Sequence, residues 1–175
     1  MFSIVMLIVN AIAGLLGGVL LLRFWMQAIR VRPPSSVAQF TFQLSDWLVR
    51  PLRRIVPGMG GYDWASLIGA FLIVMLATSV MFLFGATPEI VFLVALHRFL
   101  EWILYGFMAL LVIEAVFSWV NPHAPMAPFI RALNEPLLTP IRRVVPLVGN
   151  LDLSLLVALI LLQIAQILLG MLFGR

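Results

Sequence analysis

The sequence predicts an all-α integral membrane protein of about four transmembrane helices, arranged as two parallel repeats that each carry a cytoplasmic amphipathic segment. Three observations predict it. Of 175 residues 63% are hydrophobic and only 10% are charged, too few charges to cover a particle in water. The apolar residues gather into runs of about 20, the helix length that crosses roughly 30 Å of hydrocarbon. A motif of proline and paired arginine occurs twice, 89 residues apart.

The first apolar run is Ser3–Leu22. No basic residue precedes it, no small-residue cleavage site closes it and Arg23 follows directly, so a retained span is expected rather than a signal peptide. Gly14 and Gly18 form a GxxxG pattern with Ala11 one turn earlier, a stripe expected to let helix backbones approach closely.

A polar segment follows. Phe40, Leu44, Trp47, Leu48 and Leu52 recur at helical spacing beside arginines, which suits a helix lying in the headgroup layer. Pro51 removes a backbone donor and clashes with the preceding turn, so it is expected to interrupt that helix and begin a new short one. Arg53 and Arg54 then stand at the membrane boundary, able to anchor in lipid phosphates or to hold a partner or an anionic ligand. Gly60 and Gly61 supply a turn. Asp63 stands immediately before the next run, where a carboxylate can cap the helix N-terminus.

The second run is Trp64–Gly85. The third, Ile90–Val120, would reach about 46 Å as one helix, and its first part carries His97, Arg98 and Glu101. The span is therefore placed at Trp102–Val120, with Ile90–Leu100 at the outer interface as an interfacial helix or an extension of the span. His97, Arg98 and Glu101 form a self-neutralised patch or a proton relay. Glu114 lies deeper, where a charge is costly. It calls for a buried partner such as Arg23, for a hydrogen bond between helices, or for a role in ion or proton passage.

The second polar segment repeats the first. Phe129, Leu133 and Leu137 continue at helical spacing, Pro140 introduces Arg142 and Arg143, Gly149 supplies the turn and Asp152 the cap before the last run, Leu153–Phe173. Gln163 and Gln166 in that run join helices or line a polar path.

Aligned, Pro51-Leu-Arg-Arg-Ile-Val-Pro57 meets Pro140-Ile-Arg-Arg-Val-Val-Pro146, and Asp46, Gly60, Asp63 and Leu67 meet Glu135, Gly149, Asp152 and Leu156 at the same offset. Upstream the offset becomes 94, with Trp25 opposite Trp119 and Leu20 opposite Glu114. The units are residues 1–86 and 87–175, and a loop insertion of five residues is expected around Arg30–Ser36. Units of two spans begin and end on one side, so the repeats are parallel and a pseudo-two-fold axis is expected along the membrane normal. Such an axis offers Asp63 and Asp152 a second role besides capping, as members of one central charged cluster with the arginine pairs.

Nine arginines fall in the two polar segments, against Arg98 and Arg175 elsewhere. By the positive-inside rule both segments are cytoplasmic and both termini periplasmic. The net charge of +4 thus reads as loop placement, with membrane lipids as the expected partner, a membrane protein or a second copy as the next, and no direct binding of nucleic acid. Every basic residue is arginine, whose planar fork holds phosphate and carboxylate in a way lysine does not. There is no cysteine and the two histidines lie far apart. No metal set, no nucleophile with a base and no phosphate loop can be assembled, so neither a cofactor nor enzymatic activity is expected.

Leu21-Leu-Arg-Phe-Trp-Met-Gln27, Pro51-Leu-Arg-Arg-Ile-Val-Pro57 with Gly60-Gly-Tyr-Asp63, Ser118-Trp-Val120, Asn134-Glu-Pro-Leu-Leu-Thr-Pro-Ile-Arg-Arg-Val-Val-Pro146 and Leu151-Asp-Leu-Ser154 together resemble the YggT family over almost the whole chain. The resemblance implies a bacterial inner-membrane protein whose molecular activity is not established. Proteobacterial members are linked to osmotic stress tolerance and potassium uptake. The related YlmG-like proteins are linked to cell division, nucleoid distribution and assembly of a membrane cytochrome complex. Osmotic or potassium homeostasis is the implied role, and a membrane scaffold or assembly factor the alternative. Here Asp46 is followed by Trp47 where the second copy has Glu135-Pro136, so the first amphipathic helix is expected to be the longer and less broken one.

Overall fold

The computed structural model describes residues 2–56, 58, 60–145 and 152–174. The sequence readings on Pro57, Pro146, Gly149, Leu151 and Arg175 lie outside the described residues. Among the described residues six α-helices form the fold: α1 Phe2–Ala28, α2 Ser35–Ile55, α3 Trp64–Thr78, α4 Pro88–Val120, α5 Ala127–Arg142 and α6 Leu153–Leu172. Four candidate spans result, with α3 prolonged to Phe84 by a 3-10 turn.

The spans differ from the expected boundaries at their ends. Helix α1 carries Arg23 inside it and runs on to Ala28. There the chain leaves through a left-handed Arg30 (φ 57°), with Arg30 N–H donating to Gln27 O and Val31 N–H to Met26 O, 3.1 and 3.0 Å. That is the double closure of a Schellman motif, with arginine where glycine is usual. The third run is one continuous helix of 33 residues, so Ile90–Leu100 extends the span instead of lying flat, and Trp102 is no boundary. Thr87 and Pro88 start it, the Thr87 hydroxyl accepting from Ile90 N–H.

The five additional residues of the first copy form no longer loop. Six residues separate α1 from α2 and six separate α4 from α5. Relative to the repeat, α1 ends two residues later and α2 begins three earlier, so the insertion lengthens helices.

The prolines also behave differently from expectation. Pro51 sits inside α2, and Pro136 and Pro140 inside α5, without breaking either helix. All three lie on the exposed face, so the carbonyl each one deprives of a donor opens outward, where water or headgroups reach it. Helix α2 is the longer, 21 residues against 16. Its inward face is small and polar, Thr41, Ser45 and Val49, while Phe40 and Trp47 of the apolar stripe point outward. In α5 the inward face is apolar apart from Asn134: Phe129, Ile130, Leu133 and Leu138.

Packing follows the two units. Helices α1, α2 and α3 pack on one another, as do α4, α5 and α6, while α3 and α1 both meet α4. One core lies in the first unit around Leu20, Val49 and Ile73 and one in the second around Leu111, Leu138 and Leu162. A third joins the units, with Met26 against Phe129, Ile130 and Leu133. Close approach of α1 to α4 depends on Gly17, where a Cβ would overlap the Trp102 ring. The GxxxG glycines are not the packing residues: a Cβ on Gly14 or Gly18 would meet nothing within 4 Å, and Ala11 is exposed.

Candidate functional site

Where each amphipathic helix meets its spans, the fold assembles one cluster of ionisable side chains per unit. In the first, Arg23 of α1 is buried in the bilayer-facing bundle, and burying a guanidinium is tolerable only with partners. It has them on α2: its Nη1 donates to Ser45 Oγ at 2.5 Å and to Asp46 Oδ1 at 2.7 Å. Its Nε lies 3.4 Å from Asp63 Oδ2 and has no hydrogen bond. The Ser45 hydroxyl in turn donates a hydrogen bond to the Thr41 carbonyl, and Arg50 closes on the other oxygen of Asp46 at 2.8 Å. Arg53 reaches from the end of α2 to Asp63, donating through Nε at 3.2 Å and Nη2 at 2.6 Å. Asp63 meanwhile caps α3, accepting from Ser66 N–H and Ser66 Oγ.

The second unit repeats the outer half of this arrangement and inverts the inner half. Arg142 donates to Asp152 Oδ2 through Nε at 3.0 Å and Nη2 at 2.7 Å, and Asp152 caps α6 by accepting from Ser154 N–H. The buried ionisable residue on the span is now an acid. Glu114 accepts from Asn134 Nδ2 at 2.7 Å, and Arg142 stands 3.7 Å away. Asn134 also donates to the Leu110 carbonyl, leaving its own Oδ1 unbonded. Of the readings open for Glu114, the hydrogen bond between helices is the one seen. Arg23 is not its partner.

Each aspartate therefore caps a helix and pairs with an arginine of its own unit. They do not form one central cluster. Among the described residues no hydrogen bond or ion pair joins Asp63 to Asp152, or either to the other unit's arginine. Within each arginine pair the members separate: Arg53 and Arg142 are committed to an aspartate, whereas Arg54 and Arg143 are exposed and make no ion pair among the described residues.

The charges set the titration. Burial pushes the Asp63 carboxyl up, but the bonds from Arg53 and Ser66 and the charges of Arg53 and Arg23 outweigh it and hold the group below the usual carboxylate value. Asp152 follows the same balance, burial against Arg142 and Ser154, with the same result. Asp46 is held low chiefly by the hydrogen bond from Arg23, and Arg53 is raised chiefly by its bond to Asp63. These groups stay charged through the physiological range.

Each cluster borders a cavity. One of about 510 Å³ is lined by Arg23, Gln27, Phe42, Asp46, Arg50 and Arg53. The other, about 650 Å³, is lined by Glu114, Ser118, Arg131, Arg142 and Asp152. The first is lined by three guanidiniums and one carboxylate, and with Asp63 pairing Arg53 and facing Arg23 the cluster keeps one positive charge in excess. The second is balanced. Neither has a metal-ligand set, and no group of three or more metal-binding side chains occurs among the described residues.

At the far end of α4, His97 is buried beside Phe173, with its Nδ1 3.4 Å from Glu101. Arg98 does not join that pair and donates across to Asn10 of α1 at 3.2 Å. Gln166 bonds the Tyr105 hydroxyl between α6 and α4, while Gln163 is exposed. The residues that sequence reasoning passed over are Ser45 and Asn134. They occupy the same place in the two repeats, and both are polar in a helix face that otherwise turns inward, which was the available signal.

Comparison with known proteins places the chain. The CCB3/YggT family model matches it twice, over residues 2–84 and 93–173. An uncharacterized protein YggT of Escherichia coli K12 is 33% identical over 147 residues, 83% of this chain and 78% of the relative. An uncharacterized protein encoded in the proC 3′ region of Vibrio alginolyticus is 33% identical over 165 residues, 89% and 88% of the two chains. An uncharacterized protein of Pseudomonas aeruginosa is 34% identical over 157 residues, 86% and 80%. No solved structure matches the chain.

Proposed function

Because the chain belongs to the CCB3/YggT family, we propose that it is a bacterial inner-membrane platform, which serves osmotic tolerance or potassium homeostasis by holding lipid or a membrane partner and not by conducting ions itself. The single observation that carries this reading is the division of labour within the arginine pairs. Arg53 and Arg142 hold the amphipathic helices to the spans, which leaves Arg54 and Arg143 exposed and outside any ion pair among the described residues. Phosphate and carboxylate are the ligands a guanidinium fork fits, and the three-arginine cavity of the first unit offers the same chemistry. On this view the arginine face is cytoplasmic and both termini are periplasmic. An alkaline phosphatase fusion after Arg32 is then inactive. Work in cell division, nucleoid distribution or complex assembly is the same mode of action with a different cargo.

A transport component is the second reading, favoured by Glu114 and Asn134 beside the cavity of about 650 Å³. Reconstitution separates the two. Purified protein in potassium-loaded liposomes is expected to leak no faster than empty liposomes. A potassium flux that Glu114→Gln abolishes would establish transport and overturn the platform.

A further inference from the structure

The interface between the two units is not closed on itself. From the first unit it uses the end of α1, with Trp25 donating through Nε1 to the Leu133 carbonyl at 2.9 Å and Met26 and Leu22 packed on Phe129, Ile130 and Leu133 of α5. It also uses α3, whose Phe71 meets Phe92 and Phe99 of α4 edge to face. A two-fold axis would generate both contacts a second time, with the end of α4 on α2 and with α6 on α1. Among the described residues neither is made: Trp119 has no bond to Leu44, and α6 and α1 share no comparable packing. The relation is head to tail, and a head-to-tail contact leaves one copy of each mating face unused.

The repeat identifies those faces residue by residue. Met26 is 4% exposed and its counterpart Val120 80%; Phe129 is 8% exposed and its counterpart Phe40 53%. Trp25 is half-buried in the interface, whereas Trp119 is 75% exposed and Val116, opposite Leu22, is 50% exposed. The Leu44 carbonyl, opposite that of Leu133, accepts from Trp47 Nε1 of its own helix at 2.8 Å on the exposed side, so it is accessible from outside the chain.

We infer that the partner of these faces is a second copy of this chain. Its Trp119 and Val120 sit on Phe40 and Leu44 of the first copy, as Trp25 and Met26 sit on Phe129 and Leu133 within each chain. The occupant is specified by continuity, because the exposed pair of faces is homologous to a pair that already mates. Lipid alone would cover either face without regard to the other.

The absence of cysteine from the chain makes crosslinking a clean test. In membrane vesicles under mild oxidation, Phe40→Cys with Trp119→Cys in one chain should give a ladder of dimers and larger species. Trp25→Cys with Phe129→Cys should crosslink within the chain, which shows that the fold and the oxidation are sound. Co-expressed single variants, Phe40→Cys tagged one way and Trp119→Cys the other, should yield only the mixed dimer. Two results overturn the inference: no crosslink from the Phe40→Cys, Trp119→Cys chain while the internal control reacts, or dimers formed by Trp119→Cys alone, which would mean a face-to-face pair of another kind.

Discussion

Arg53 grips Asp63 through two nitrogens, and Arg142 grips Asp152 through the same two, each pair ten residues apart in sequence. The identical spacing ties the end of an amphipathic helix to the start of the following span in both units. Arg54 and Arg143, next in sequence, are left outside this bond. Lysine keeps the charge but not the fork. Arg53→Lys and Arg142→Lys should therefore each lower stability by about 1 kcal/mol, a figure discounted for the partial exposure of both guanidiniums. Arg54→Lys and Arg143→Lys should leave stability unchanged. Thermal unfolding in detergent distinguishes the two classes. In an osmotically sensitive deletion strain, failure of Arg54→Lys with Arg143→Lys to restore growth would mean that the exposed face needs the fork as well.

The pH dependence follows from the aspartates. Asp63 and Asp152 titrate below their ordinary value in the folded protein. Their contribution is complete above the unfolded carboxylate value, about 4, and is lost as pH falls through the lower folded value. Between pH 7 and pH 5 the unfolding temperature should hold steady, then drop on further acidification. Asp63→Asn should be less stable than wild type at pH 7, and the gap should narrow in acid. A constant gap down to pH 3 would mean that the charge is not what the bond requires.

Glu114 can be separated into its charge and its acceptor. Glu114→Gln preserves an acceptor for Asn134 and should cost little. Glu114→Leu, the residue found at the repeat-related position 20, removes the acceptor and leaves the buried Asn134 with the Leu110 carbonyl only. That variant should lose about 1–3 kcal/mol, the cost of stranding a buried polar group. Pairing it with Asn134→Ser, the residue at the equivalent place in α2, should recover part of the loss.

The glycines of α1 give a prediction of opposite signs on one helix. Gly17→Ala drives a methyl into the Trp102 ring and should destabilise by about 1–3 kcal/mol. Gly14→Ala and Gly18→Ala have room and gain helix propensity, so both should be neutral or stabilising. Reversal of that order in thermal unfolding would place the close contact on the GxxxG stripe after all.

The spans and the capping aspartates were legible in the sequence because each rests on a local cause. Twenty apolar residues need a bilayer, and an aspartate before such a run meets free amides. The duplicated motif showed that Arg53 and Arg142 would act alike, yet not that Arg54 and Arg143 would act differently, since adjacent residues on a helix point about 100° apart and only the fold decides which side faces an aspartate. Pro51 and Pro140 read as breaks because their local cost is real. Whether the freed carbonyl is buried or exposed is a tertiary fact. The GxxxG stripe failed for a related reason: small residues permit an approach without causing one, and the neighbour came to Gly17. Ser45 and Asn134 were hidden by being ordinary polar residues whose importance depends on Arg23 and Glu114 across the helix boundary.

Among the described residues every ion pair closes inside the unit that supplies both members. Cutting the chain between Gly85 and Thr87 would consequently part no ion pair, and two separately made halves would have apolar surface to find again together with hydrogen bonds that include Trp25 to the Leu133 carbonyl and Arg98 to Asn10. The buried charges of the two units stand at different places in the repeat, Arg23 opposite Phe117 and Glu114 opposite Leu20, so each half carries its own buried charge together with that charge's partners.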